Sequence, residues 1–210
     1  VEEVLEDWAR LAVEGHFAAK RPWMRYHELL RADMAALVGA RESEVVAMNT
    51  LSVNLHLLMV SFYRPTAERG AIVIEAGAFP SDRHAVEAQL IHHGRDPAVD
   101  LIEVQPDGPN GLISLAALER VLAEHGRRVA LVLWPGVQYR TGQAFDLGEV
   151  VRLGRRAGAV VGFDLAHAVG NLELALHDID ADFAAWCHYK YCNGGPGAVA
   201  GACVLPGRVS

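Results

Sequence analysis

Two stretches near the end of the chain carry residues that could do chemistry together. Gly162-Phe163-Asp164-Leu165-Ala166-His167 sets an acid just past the carboxyl end of an apolar run, which is where open α/β sheets bind ligands. Twenty-six positions after Asp164 comes Lys190, inside Trp186-Cys187-His188-Tyr189-Lys190-Tyr191, with the glycine-rich Asn193-Gly194-Gly195-Pro196-Gly197 behind it. A lysine close after a β-run, followed by glycines that let backbone approach a ligand, suits an internal Schiff base. Its amine must react in the neutral form, which apolar surroundings favour. An aspartate facing a pyridine nitrogen keeps that nitrogen protonated, so the ring can accept electrons. Taken singly, Asp164 reads more simply as a strand-end cap and Lys190 as a surface charge. Their order, with the glycine run behind them, argues for the joint reading.

A phosphorylated ligand also needs a cradle. Thr50-Leu51-Ser52 opens a long apolar helix and offers free backbone N–H groups, two hydroxyls and the positive end of the helix dipole. Alone this is a weak signal, because Ser and Thr cap helices everywhere. Phe79 stands at a strand-to-helix junction, where an aromatic ring can stack on a cofactor; on its own it reads as core. Cys187-His188 with Cys192 has none of the spacings of closed zinc sites, so no metal is expected.

The elements that position these residues alternate along the chain. Val1 to Ala12 reads as an amphipathic helix, and a second helix runs from about His27 to Val38 with Gly39 as its C-cap. A short strand from Val45 to Met48 precedes the helix that ends near Phe62. Ile72 to Glu75 is a buried strand, and a helix follows with Ser81 or Asp82 as its cap. Strands are expected at Leu101–Val104, Val129–Trp134, Ala159–Phe163, Asp182–Trp186 and Ala198–Leu205. Helices between them are capped by Ser114 and by Asp146. The apolar run Val129 to Trp134 suits the middle of a parallel sheet. Such alternation implies βαβ units, a parallel or mixed sheet and helices on both faces, in one domain over residues 1–210.

Composition narrows the function classes. The chain is 51% hydrophobic with 20 glycines, which suits a packed core. A formal net charge of -7 argues against a nucleic-acid surface. No apolar run approaches a membrane span, and no signal peptide pattern opens the chain. Three clustered cysteines do not make a disulfide framework, so a reducing cytoplasm is expected. The Val1 start and the end at Ser210 read as part of a longer polypeptide.

Five motifs then converge on one family. Met48 to His56 (MNTLSVNLH), Phe79-Pro80-Ser81-Asp82, Thr141-Gly142-Gln143, Phe163 to Asn171 (FDLAHAVGN) and Tyr189-Lys190-Tyr191 occur in the order and at the spacings of the kynureninases. The chain resembles these pyridoxal-phosphate (PLP) enzymes from about Gly15 to Leu205. The related cysteine desulfurases usually carry Gln where His167 stands and His rather than Tyr before the lysine. The resemblance implies a PLP-dependent transferase large domain, mostly parallel sheet with helices on both faces, acting as a homodimer on the small molecule kynurenine in tryptophan degradation.

Carried across by motif, Lys190 forms the covalent link to PLP and moves protons, and Asp164 pairs with the pyridinium nitrogen. Leu51 and Ser52 hold the phosphate, Phe79 stacks on the ring, Asp82 supports the pyridine edge and His167 lies alongside. Tyr189 contacts the phosphate and relays a proton, while His16 matches a position near the substrate. Pro135 stands where some relatives have a serine near the cofactor. A small C-terminal domain, with an arginine for the substrate carboxylate, is expected beyond Ser210. Two other readings stay open: another PLP enzyme of the same fold, such as a desulfurase, or a PLP-binding domain without activity of its own.

Overall fold

The structure, a computed structural model, describes residues 1–205; residues 206–210, the last of the expected domain, lie outside the described part. Strands β1 (Val45–Ala47), β2 (Ala71–Glu75), β3 (Leu101–Val104), β4 (Val129–Pro135), β5 (Val160–Asp164), β6 (Phe183–Trp186) and β7 (Gly201–Val204) form one sheet in the order β1-β7-β6-β5-β4-β2-β3. The run from β6 to β3 is parallel, and β7 lies antiparallel to both β6 and β1. The expected mostly parallel sheet is therefore present.

Strand alternation sorts the apolar residues onto two faces. Ile72, Ile74, Leu131, Leu133, Phe183 and Ala185 pack on one side against α4 (Leu51–Phe62) and α5 (Pro80–His92). Val73, Val132, Trp134, Val161, Phe163 and Trp186 pack on the other, against α3 (Arg31–Val38), α7 (Leu115–His125) and α8 (Leu147–Arg156). The remaining helices, α1 (Glu2–Leu11), α2 (Gly15–Ala18) and α6 (Pro97–Asp100), flank these layers. β4 is buried over six of its seven residues, as a central parallel strand must be. β5 comes so close to the Phe183 ring that a Cβ on Gly162 would lie 2.1 Å from it. Only glycine fits there, two residues ahead of Asp164.

Several expected caps are in place. Gly39 ends α3 in the left-handed region at φ 62°, and the hydroxyl of Ser114 and the carboxylate of Asp146 accept from the first turns of α7 and α8. Other boundaries differ. The helix expected from His27 starts only at Arg31, because Trp23–Glu28 forms 3₁₀ turns broken at Arg25 (φ -107°, ψ 16°). Neither Ser81 nor Asp82 caps α5. Pro80 occupies its first position, where the missing N–H costs nothing, and Phe79 precedes it. That frees Asp82 for another use. β5 runs one residue further than expected, so Asp164 is its last residue rather than the residue beyond it. The final strand is shorter, Gly201–Val204, because the glycine-rich run before it forms a loop.

The topology locates the site. From β2 the chain passes to β3 on one side and then crosses back to β4 on the other. Ligands bind outside the carboxyl ends of strands at such a reversal. Glu75, Pro135 and Asp164 are the terminal residues of β2, β4 and β5.

Candidate active site

A cleft of about 260 Å³ opens at that reversal. Its lining includes Leu51, Ser52, Phe79, Asp82, Asp164, His167, Tyr189 and Lys190, so all the sequence-derived cofactor residues come together in one place. His16 does not join them. It lies on α2 with its ring edge against Trp23, centroids 5.5 Å apart, and Gly15 leaves room for that indole. Pro135 lines the cleft at the end of β4, so no hydroxyl is offered there.

The lysine sits between the walls. Lys190 Nζ is 3.0 Å from His167 Nε2 and 5.6 Å from the centre of the Phe79 ring. Burial, and then the Lys190 charge, push the His167 pKa down, so the imidazole is held neutral. The Phe79 ring meets Tyr139 edge-on at 5.1 Å, and the Tyr139 hydroxyl accepts from Arg140 Nε at 2.8 Å. Burial raises the Tyr189 hydroxyl, with the neighbouring Cys187 thiol adding to the shift.

Carboxyl groups make the floor. Asp164 uses one oxygen to accept from the Ala166 amide at 2.7 Å, the strand-end cap its position suggests, and its carboxylate lines the cleft. Asp82 is pushed strongly upward, first by burial and then by the charge and hydrogen bond of Asp164, so it keeps its proton. Glu75 is pushed up to about 8, first by burial and then by Asp164 and Glu103. At the other end, the Thr50 hydroxyl accepts from Val53 N, while the Leu51 and Ser52 amides and the Ser52 hydroxyl have no partner among the described residues.

The donor set has a definite polarity. Acceptors short of a positive charge lie at the deep end, free N–H groups and a helix N-terminus at the other, and a lysine amine and an aromatic face between. A flat ring with a cationic nitrogen at one edge and a phosphate at the opposite end matches it.

Sequence reasoning passed over Glu75, Ser81 and Tyr139. Glu75 carried the same signal as Asp164, a charged residue closing an apolar strand, and Tyr139 follows the carboxyl end of β4. Glu75 also yields a test. Its folded pKa lies above its ordinary 4.5, so the folded state holds a proton that the unfolded chain releases between there and about pH 8. Stability therefore falls as pH rises through that window. Glu75→Gln, which does not ionise, is expected to raise the melting midpoint by several degrees at about pH 8 and to leave it nearly unchanged at about pH 5. Thermal melts of the ligand-free polypeptide at the two pH values check this; an equal difference at both would mean that Glu75 ionises normally.

Comparison with known proteins bears on this geometry. The sequence model for aminotransferase class-V matches residues 1–205. The chain is 69% identical to the kynureninase of Xanthomonas euvesicatoria pv. vesicatoria (strain 85-10) over 204 residues, covering 97% of this chain and 48% of that protein. It is 68% identical to the kynureninase of Stenotrophomonas maltophilia (strain K279a), with the same coverage of each. The chain thus spans about half the length of these curated relatives. Among solved structures, the apo cysteine desulfurase of Thermococcus onnurineus NA1 superposes with a TM-score of 0.73 at 19% identity, over 98% of this chain and 50% of that one. A C-DES mutant with glycine covalently linked to its PLP cofactor superposes with a TM-score of 0.76 at 18% identity, over 98% and 52%. These two likenesses speak to the fold alone. With the family's sequence model matched along every described residue, and the fold and strand-end cleft agreeing with it, the chain belongs to the aminotransferase class-V family.

Proposed function

We propose that the polypeptide containing this chain is a kynureninase, hydrolysing the Cβ–Cγ bond of kynurenine or its 3-hydroxy form to an anthranilate and alanine with PLP. The observation that carries this is the placement of Lys190 Nζ over Phe79 and beside His167, between the carboxyl floor and the free amides of α4. The identity of 65–69% to kynureninases supports the choice of substrate over the desulfurase alternative.

When bound, PLP supplies a carbonyl that captures amines and a protonated ring that accepts electrons. Lys190 would hold the carbonyl end of that group and would take the proton from the substrate Cα. His167, kept neutral, accepts the hydrogen bond of the lysine amine without adding a second charge. Asp164 holds the proton on the pyridine nitrogen, with Asp82 bonded behind it. Phe79, in the lining of the cleft, would cover one face of the ring. The amides of Leu51 and Ser52, and the Ser52 hydroxyl, hold the phosphate at the positive end of α4. Tyr189 lines the cleft and keeps its proton at neutral pH; by its motif it would contact the phosphate and deliver that proton to the carbon left when the Cβ–Cγ bond breaks. His16 is assigned to the neighbourhood of the substrate by its motif alone.

A homodimer in the cytoplasm is part of the same reading. Val53, Leu57 and Val60 form an exposed apolar stripe on α4, a surface suited to self-association. Cys187, Cys192 and Cys203 are free thiols, which suits a reducing compartment.

Anthranilate fluorescence, followed after kynurenine and PLP are added to the longest natural polypeptide containing this chain, tests the proposal. The expected result is a steady rise. Sulfide released from cysteine, with no anthranilate formed, would move the assignment to the desulfurases.

A further inference from the structure

We infer that His188 is a positioning residue for Lys190: its imidazole braces the loop that carries the lysine, accepting from the buried Trp186 indole and donating to the Val199 carbonyl. This rests on the reading of Lys190 as the cofactor-binding lysine, and it assigns the group that fixes that lysine in place.

The loop needs such a group. Lys190 stands between β6 and β7, in a stretch from Cys187 to Ala200 without helix or strand, flanked by the exposed Tyr189 and Tyr191. Ordering an irregular segment costs backbone entropy at every residue. A reacting amine nonetheless has to be held close to one position, since a displacement of about 1 Å costs about 100-fold in rate.

The bonds to the ring determine its protonation. Trp186 closes β6 fully buried, and its indole N–H is a donor that cannot accept. A buried donor requires a partner inside the protein. His188 Nε2 lies 2.9 Å from Trp186 Nε1 and must therefore be the unprotonated nitrogen. The proton is left on Nδ1, which faces the Val199 carbonyl. One neutral ring, in one tautomer, thus joins position 188 to position 199 across the glycine-rich turn.

The surroundings transmit that link in two directions. Toward the lysine, Gly194 N donates to the His188 carbonyl at 2.8 Å and Asn193 N to the Lys190 carbonyl at 3.0 Å. Away from it, Ala200, next to Val199, donates to the Asn49 carbonyl at 3.0 Å and accepts from Met48 N at 2.9 Å. Asn49 adjoins Thr50 at the start of α4, so the strap reaches the phosphate cradle too. Gly201 is shaped to admit the indole, because a Cβ there would lie 2.3 Å from Trp186. Removing the ring frees both the lysine loop and the segment leading into the cradle. It also leaves the indole donor buried without an acceptor.

The test uses the full-length polypeptide with ¹⁵N-labelled histidine and indole-labelled tryptophan, first stripped of PLP and then reloaded. In the stripped protein, His188 is expected as the Nδ1–H tautomer and the Trp186 N–H as slowly exchanging. His188→Ala and His188→Phe are both expected to lose that protection, release PLP faster on dilution and lower kcat by about 100-fold with little change in KM. His188→Gln reaches one partner but not both, and is expected to fall between. The phenylalanine variant keeps the bulk of the ring without its bonds. Wild-type PLP retention and kcat in His188→Phe would overturn the brace, as would an Nε2–H tautomer in the unsubstituted protein. The tautomer and PLP-release measurements stand without turnover, so a polypeptide that makes no anthranilate would count against the proposed function and not against the brace.

Discussion

Lys190→Ala, made in the full polypeptide, is expected to abolish the visible absorbance of PLP bound to the protein and to lower anthranilate formation by about 10⁴-fold or more. The lysine has two tasks, holding the carbonyl end of PLP and moving the Cα proton, and no neighbour can take both. His167, the nearest titratable group at 3.0 Å, has its pKa lowered by burial and by Lys190 itself, and it has no primary amine. Lys190→Arg should fail nearly as badly, because a guanidinium stays charged and cannot attack a carbonyl. The fold should survive both changes. Lys190 is partly exposed and forms no ion pair among the described residues, so its removal breaks the contact to His167 and the weak contacts to the Phe79 and Tyr189 rings. Spectra and melting midpoints measured on the same samples separate the chemistry from the fold. An unchanged visible spectrum in Lys190→Ala, at an unchanged midpoint, would refute the assignment.

The residues of this site were legible because each sits where a local rule can be read. Asp164 closes an apolar strand, Lys190 follows the next one, and Thr50 to Ser52 opens a helix, so the chain itself reports which end of the sheet they occupy. Ser114, Asp146 and Gly39 announced helix ends through side chains or a backbone conformation that few residues supply. Strand pairing is different. Nothing in Gly201–Val204 says that it runs antiparallel to β6 or that the three residues of β1 pair with it, because direction and neighbour are set by long-range packing. The start of α5 was misplaced for a reason that bears on function. Ser81 and Asp82 are strong capping types, yet Pro80 already fits the first position, and Asp82 is spent on Asp164. Glu75 was visible as a charge at a strand end, but its proton depends on burial and then on two carboxyls brought from β5 and β3. The brace at His188 depends on a loop closing on itself, which no spacing rule records.

Asp164 gives the second large effect, and it separates the site's chemistry from its binding. Asp164→Asn keeps an oxygen for the Ala166 amide, so the end of β5 and its pairing with Pro135 and Ala185 should stay in register. What the change removes is the negative charge at the deep end of the cleft. Turnover is expected to fall by about 10²–10⁴-fold, the range typical of a lost acid–base group, because the ring nitrogen is no longer held protonated. PLP retention should fall far less, since Lys190 and the amides of α4 hold the opposite end. Asp164→Ala should match Asn in turnover while melting earlier, having lost the cap as well. The same charge helps to raise Asp82 and Glu75, so in Asp164→Asn the stability loss between about pH 5 and pH 8 should become shallower. Wild-type turnover in the asparagine variant, with an earlier melt only in alanine, would reduce Asp164 to a strand-end cap. A loss shared by both variants, with PLP still bound, would assign the effect to the charge.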